Sequence, residues 1–422
     1  MSAIHPFKAI RPIPTHAAHI SCPPYDVIST DEARSLAEGE PESFLRVIRP
    51  EIDFDPSQDP HADQVYDQGR ANLERLIESG VLLEEDEPAM FLYRLVRDGH
   101  KQMGLVCTVD AAEYRDGRIR KHEKTRPDKE DDRTRHLLTS NIHAEGVFLA
   151  FRDDQPVGEE IVTAMHLVAS DRPMIHFVID EVTHTLWKVP NHSDLVDLFT
   201  RIPELYIADG HHRSAAGERA ASARAESNDA HSGDEEYNRI LAAIFPASQL
   251  AILPYNRIVK DLNGMDAASL LERLADVGGI ERLSEGQDPS PNARGSFCLY
   301  LDGGWYRLTL PSETIDHADP IDGLDVALLQ DRVLAPLLGI GDPRTDPRID
   351  FVGGIRGTEE LERRVDAGDA AIAFSLHPTS MEELFQVADA DEIMPPKSTW
   401  FEPKLRSGLF AHRFEPSEET VR

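Results

Sequence analysis

Asp209-Gly210-His211-His212-Arg213 places a carboxylate, a glycine, two imidazoles and a guanidinium in five consecutive positions. A short apolar run, Leu205 to Ala208, leads into them, and an alanine-rich stretch of high helix propensity, Ser214 to Ala225, leaves them. The pattern predicts a strand, a tight turn and a helix. Amides at a helix N-terminus lack intrahelical acceptors and carry partial positive charge, so such a turn can hold an anion. Gly210 permits close backbone approach, Arg213 offers a planar fork that suits phosphate oxygens, and His211 and His212 add donors. Asp209 stands beside this cradle as a magnesium ligand or an acceptor for a substrate hydroxyl proton. A corner in which Asp209 merely caps the helix is the competing reading. Two histidines and an arginine in the next three positions, on a chain poor in basic residues, favour function. Zinc is the weaker alternative, because adjacent histidines point in different directions and neither has a partner at helical ligand spacing.

Three further stretches carry candidate groups. Arg120 to His136 has seven Lys or Arg among its 17 residues. Its Asp128 to Arg135 part also reads as a solvated helix face with i,i+4 ion pairs. Within it, Glu123 is a candidate general base or magnesium ligand, and Lys124 and Arg133 are candidate phosphate ligands. The His122-Glu123-Lys124-Thr125 sequence has no second histidine four residues on, which excludes a metalloprotease motif. Met394 to Leu409 is stiffened by three prolines and presents Lys397, Ser398, Thr399 and Lys404 for phosphate or carboxylate recognition. It lacks the upstream GxxxxG of a P-loop. Cys22 to Ile28 contains a Pro-Pro pair that pre-sets the chain before Tyr25 and Asp26, candidates for a substrate pocket. Cys22 has no activating base beside it in sequence, which argues against a catalytic thiol.

The elements that must position these residues read as α/β or α+β, with mixed sheets and two lobes. Strands are predicted at Ala89 to Val96 and Gln102 to Val109, joined near Asp98-Gly99, and again at Met174 to Glu181, Thr185 to Val189, Ile240 to Phe245 and Gln249 to Leu253. Helices are predicted from about Thr30, over His61 to Ser79 and over Gly323 to Leu337. Further strands fall at Phe297 to Leu301, Tyr306 to Leu310 and Ala371 to Leu376. The expected organisation is an N-terminal α/β region over 1–271 containing the turn, a boundary region over 272–294 with Gly278-Gly279 and Asp288 to Asn292, and a smaller C-terminal lobe over 295–422. The MPPKST loop of that lobe is expected to pack back on the site.

Acidic residues number 76 against 44 basic ones, a formal charge of −32, which repels nucleic acid and anionic membrane over most of the surface. The acidity itself reads as a solubility adaptation. Cys22, Cys107 and Cys298 are far apart and odd in number, which points to a reducing compartment rather than a disulfide framework. With no apolar signal-peptide core and no run of about 20 apolar residues, the expected location is the cytoplasm.

Taken together, CPPYDVI, RKHEKT with the following KEDDR, YIADGHHR, LPYNR and MPPKSTWFEPKLRSGL resemble a prokaryotic family catalogued as domain of unknown function 1015. The strand, DGHHR turn and helix are also similar to the phosphate-binding turn of the ParB/sulfiredoxin superfamily, which includes kinases for free serine. That resemblance implies that Gly210, His212 and Arg213 hold nucleotide phosphates. It implies too that nearby acids, here Asp209 and Glu123, serve the hydroxyl proton and Mg2+. Sulfiredoxin activity is disfavoured because no cysteine lies in the turn, and a partition role because the chain is acidic and shows no helix-turn-helix. The expected function is therefore an ATP-dependent phosphotransferase for a small hydroxyl metabolite, with free L-serine to O-phosphoserine as the leading guess. A phosphohydrolase and a non-catalytic nucleotide- or phosphometabolite-binding regulator are the alternatives. Small molecule and nucleotide are the expected partners, with no nucleic acid and no membrane.

Overall fold

Short acidic or glycine turns with positive φ organise the strands. Asp98-Gly99 (φ 49° and 81°) closes the hairpin between Phe91–Arg97 and His100–Asp110, and Asp180-Glu181 (50° and 63°) closes Ile175–Ile179 onto Val182–Lys188. Two consecutive left-handed residues give the turn twist that matches a right-handed hairpin, and aspartate and glycine tolerate them best. A computed structural model describes residues 3–316 and 318–414. It is a mixed α/β protein with several sheets and two compact units, the first running to Leu250 and resuming at Pro403, the second spanning Ala251–Glu402.

In the first unit a nine-stranded sheet runs in the order Ile119–Arg120, Leu205–Asp209, Val147–Phe151, Arg239–Pro246, His100–Asp110, Phe91–Arg97, Val182–Lys188, Ile175–Ile179, with Ile4–His5 pairing beside His100–Asp110. The Leu205–Asp209 strand is parallel to Ile119–Arg120 and antiparallel to Val147–Phe151, so the sheet is mixed. Its core includes Leu105, Phe151, Ile161, Phe199, Ile207 and Ile244. A four-stranded sheet, Leu82–Glu84, Ala9–Pro12, Ala411–Arg413, Ile142–His143, ties the returning C-terminal segment to the N-terminal region. Gly408 (φ 84°) makes that return possible, since a Cβ there would lie 2.7 Å from Phe44 Cβ.

The second unit is built on an antiparallel sheet ordered Gly279–Arg282, Gly304–Thr309, Ser296–Leu301, Ile372–Leu376, Tyr255–Val259, Ile349–Gly353, with a separate pair, Ala251–Leu253 and Trp400–Glu402. The stretch 272–294, expected to be a boundary, lies inside this unit. Gly278 ends the helix Ala267–Val277, and the chain continues straight into the edge strand Gly279–Arg282. The helix expected over Gly323 to Leu337 is α-helical only at Asp325–Leu329 and then widens to a π-turn at Gln330–Leu334.

Gly104 offers a test of the sheet. A Cβ there would come 2.5 Å from the ring of Phe245, which is fully buried against Phe148. Overpacking of this kind costs about 1–3 kcal/mol. Gly104→Ala is expected to lower the urea midpoint of unfolding accordingly, and an unchanged midpoint would show that the ring has room to move.

Candidate functional site

Leu205–Asp209 is an almost wholly buried strand whose register against Val147–Phe151 shifts between Ile207 and Asp209. The irregularity brings Asp209 to the strand end, and Gly210 (φ 95°, ψ 32°) reverses the chain into the helix His211–Ser227. No side chain caps that helix, and no acid lies in its first turn. The amides of His211, His212 and Arg213 therefore stand at an uncapped helix N-terminus, the geometry that binds anions. A Cβ on Gly210 would lie 3.2 Å from Cζ and Nε of Arg213, so the glycine also lets the guanidinium fold back over the turn.

Arg213 is 8% exposed. Its Nη1 donates to the Gly146 carbonyl (2.7 Å), and its Nη2 faces carboxylate oxygens of Asp209 (3.4 Å) and Asp26 (3.5 Å). Lys404 Nζ reaches the same Asp209 oxygen at 3.3 Å. Burial alone would raise the Asp209 acid, but Lys404 and Arg213 overcome it and hold the carboxyl below its usual range. Burial would likewise weaken Arg213 as a base, and Asp26, Asp209 and Glu145 outweigh it and keep it fully charged. Glu145 behaves oppositely. Burial, the dominant cause, raises its acidity constant despite Arg213, while its Oε1 accepts from the Tyr25 amide (3.2 Å) and Ser407 hydroxyl (2.8 Å).

The histidines are neutral. The Arg126 amide donates to His212 Nε2 (3.1 Å), so that nitrogen accepts and the ring proton resides on Nδ1. Glu123, half-buried in the same loop, works against the burial that lowers His212. His211 packs edge-on against His122 with ring centroids 4.4 Å apart, and burial pushes it down to about 3. A pocket of about 410 Å3, part of it open to solvent, adjoins Arg213 and is lined by Pro24, Tyr93, Glu145, Arg406 and Phe410 among others.

The structure thus brings together Asp209, Gly210, His211, His212, Arg213, Glu123, Asp26 and Lys404. Tyr25 joins them through Glu145, with its ring 4.3 Å beneath the guanidinium of Arg133. Arg133 is held by Asp132 at 2.7 Å as well as by that ring, a packing role in place of the expected phosphate contact. Lys124 is exposed on the loop preceding the helix Pro127–Ser140. Lys397, Ser398 and Thr399 belong to the second unit, where Ser398 donates to the Pro395 carbonyl. Glu145, Gly146, Arg406 and Ser407 were missed. The first two sit in no motif, whereas Arg406-Ser407 lies inside the basic C-terminal stretch and was open to recognition there. Cys22 is buried with its thiol pushed up by burial and then by Glu145, consistent with an unreactive residue.

A sequence pattern described as a protein of unknown function, DUF1015, matches residues 4–327. The chain belongs to the DUF1015 family. No curated protein matches it. Among solved structures it is similar to a free serine kinase in complex with AMP (14% identity, covering 74% of this chain and 91% of that one, TM-score 0.36). It is also similar to a C-terminally truncated SbnI from Staphylococcus aureus (11%, 75% and 92%, 0.37) and to a conserved hypothetical protein from Pyrococcus furiosus (15%, 70% and 90%, 0.33). Residue roles in this DUF1015 member rest on its own geometry.

The donor set suits Mg2+. Asp209 and Asp26 are hard oxygen donors that converge on one guanidinium nitrogen, and magnesium takes one or two carboxylates with water and phosphate oxygens. Among the described residues no group of three or more His, Cys, Asp or Glu forms a protein-only cage. No helix of the described residues is long and apolar enough to cross a membrane.

The buried histidines predict a pH dependence. Burial pushes His211 and His184 down to about 3 and His136 to about 4, so each is neutral when folded and gains a proton on unfolding below about 6.5. Their contribution is full above that pH and is lost as pH falls toward 4. Asp325 of the second unit, pushed up to about 7 by burial, runs the other way with one proton. The net of two protons makes stability fall by at most about 3 kcal/mol per pH unit between 6.5 and 5. Urea unfolding at pH 7.5 and 5 measures it, and equal stability at both would mean that these rings ionise freely in the folded protein.

Proposed function

We propose that this protein is an ATP-dependent phosphotransferase acting on a small hydroxyl metabolite, free L-serine being the first substrate to test. The observation that carries the reading is the left-handed Gly210 opening an uncapped helix while Arg213 folds back over the same turn. Amides at a helix N-terminus and a guanidinium fork are complementary to a phosphoryl group, and phosphoryl transfer depends mainly on positioning and charge stabilisation.

The backbone at Gly210 to His212 and the Nδ1–H of His212 would bind the phosphate oxygens, with Arg213 and Lys404 supplying positive charge. Asp209 is held strongly acidic by those two cations, which suits a ligand or an orienting acceptor better than a proton store. Asp26, Tyr25 and Glu123 surround the turn as candidates for acceptor binding. Magnesium, when bound through Asp209 with Asp26 or Glu123, would supply the charge that lets a polyphosphate approach these carboxylates.

Incubation with ATP, Mg2+ and a panel of hydroxyl amino acids is expected to yield ADP and a phosphorylated acceptor in equal amounts. Asp209→Asn and Arg213→Lys are expected to lower kcat/KM by at least about a hundredfold while circular dichroism and melting stay near wild type. Lysine is chosen because Arg213→Ala would strand the Gly146 carbonyl and two carboxylates. Phosphate released without any acceptor would indicate a hydrolase instead. Nucleotide binding without turnover would indicate a regulator, and wild-type rates in both variants would make the turn structural.

A further inference from the structure

The second unit contains a buried cation without a counter-ion. Arg257, on the strand Tyr255–Val259, is 3% exposed, and no carboxylate among the described residues pairs with it. Its Nη1 donates to the Tyr255 carbonyl, its Nη2 donates to the Pro396 carbonyl (3.2 Å), and its guanidinium lies 4.7 Å from the ring centre of Phe351. These contacts take two of its five N–H donors and leave its charge unneutralised. Burial accordingly pushes Arg257 down to about 9. A buried charge is costly unless paired, so a protein that keeps one normally supplies an anion or receives it.

A second cation is fixed in the same corner. Lys397 directly follows the proline whose carbonyl Arg257 holds, and its φ of 58° is left-handed, uncommon for a non-glycine residue. The loop is fastened on both sides. Ser398 Oγ donates to the Pro395 carbonyl (2.7 Å), and Thr379 Oγ1 donates to the Ser398 carbonyl (3.0 Å). This conformation sets the Lys397 ammonium 5.3 Å from the ring centre of Tyr255, the residue two positions before Arg257. Tyr255 in turn meets Phe351 and Trp400 edge-on, at centroid distances of 6.2 and 5.3 Å. Gly353 admits the indole, because a Cβ there would lie 2.8 Å from it. Glu402 accepts the Trp400 indole N–H at 3.0 Å. Two cations therefore converge on an aromatic bed, in a chain that carries a net charge of −32.

We propose that this corner is an oxyanion-binding subsite of the second unit, in which Arg257 and Lys397 receive a phosphate or carboxylate group of a small molecule beside Tyr255 and Trp400. It does not depend on the kinase reading of the first unit. A proline-stiffened loop with a left-handed lysine presents its charge at little entropic cost, and a guanidinium already oriented by two carbonyls is preorganised for the anion.

Trp400 supplies the readout. Intrinsic tryptophan emission of the full-length protein is followed while orthophosphate, pyrophosphate, acetate and malonate are added separately at constant ionic strength. At least one oxyanion is expected to give a saturable change, and the phosphate and carboxylate arms tell which class the site prefers. Lys397→Asn, which tolerates the left-handed backbone and lies on an exposed residue, is expected to weaken that response at least tenfold. Arg257→Gln is expected to do the same, and Asp209→Asn, in the first unit, is expected to preserve it. If Arg257→Gln fails to fold, Lys397→Asn decides alone. Absence of any saturable response up to about 10 mM of all four anions would overturn the proposal, since sites weaker than that bind by less than about 3 kcal/mol. A Lys397→Asn titration that superimposes on wild type would overturn it equally.

Discussion

Arg213 is the group on which the arrangement of the first unit depends. Through one guanidinium it joins the Gly146 carbonyl at the start of a central strand, Asp26 of the proline-stiffened N-terminal loop and Asp209 at the end of its own strand. Asp209 extends the chain of contacts to Lys404, which arrives from the C-terminal segment after an excursion of 152 residues through the second unit. A planar fork with five donors can bind acceptors in several directions at once, which a lysine cannot. Four stretches of sequence are held at one point by a residue that is almost fully buried, and the positive charge is retained there because carboxylates outnumber it.

The histidine side of the turn follows the opposite rule. His122 and His211 are buried edge-on against each other, and both are driven toward the neutral form by burial, to which each adds repulsion of the other's charged state or that of neighbouring cations. The Arg126 amide fixes the tautomer of His212 by occupying its Nε2. One flank of the cradle is thus a set of neutral donors and packing rings, and the other is a charged lattice of arginine, lysine and carboxylates. Anion binding by neutral donors and cation binding by acids are separated by a few residues of one turn.

Much of this was legible in the sequence because it is local. The apolar run, the glycine and the helix-forming alanines around 205–225 each act on immediate neighbours, and the structure reproduces strand, turn and helix there. The Asp98-Gly99 hairpin was readable for the same reason. What escaped was set by tertiary packing. Val147–Phe151 is a central strand, yet its five apolar residues lack the alternation of a half-buried strand, and the Glu145-Gly146 pair ahead of it resembles no motif. Its importance comes from what crosses it, namely Arg213, Tyr25 and Ser407. The return of residues 403–414 to the first unit was invisible for a like reason: strand pairing between Ala9–Pro12 and Ala411–Arg413 joins positions some four hundred residues apart.

Charge balance at the turn limits the ligands that fit it. Asp26, Asp209 and Glu145 face Arg213 and Lys404, three acids against two cations. A bare polyphosphate adds several negative charges to a site that has no surplus of positive ones, so helix-terminal amides alone would have to carry the difference. Two routes remain: a divalent cation accompanying the phosphate, or protonation of Glu145, the one acid of the three whose proton is made harder to remove by burial. The second neutralises a single charge and leaves the Asp209 and Asp26 oxygens facing the ligand. The first converts those same oxygens from a source of repulsion into ligands. An acidic cradle around an anion-binding turn is consistent with a ligand that arrives as a metal complex, and an acidic cluster of this kind would disfavour the free anion.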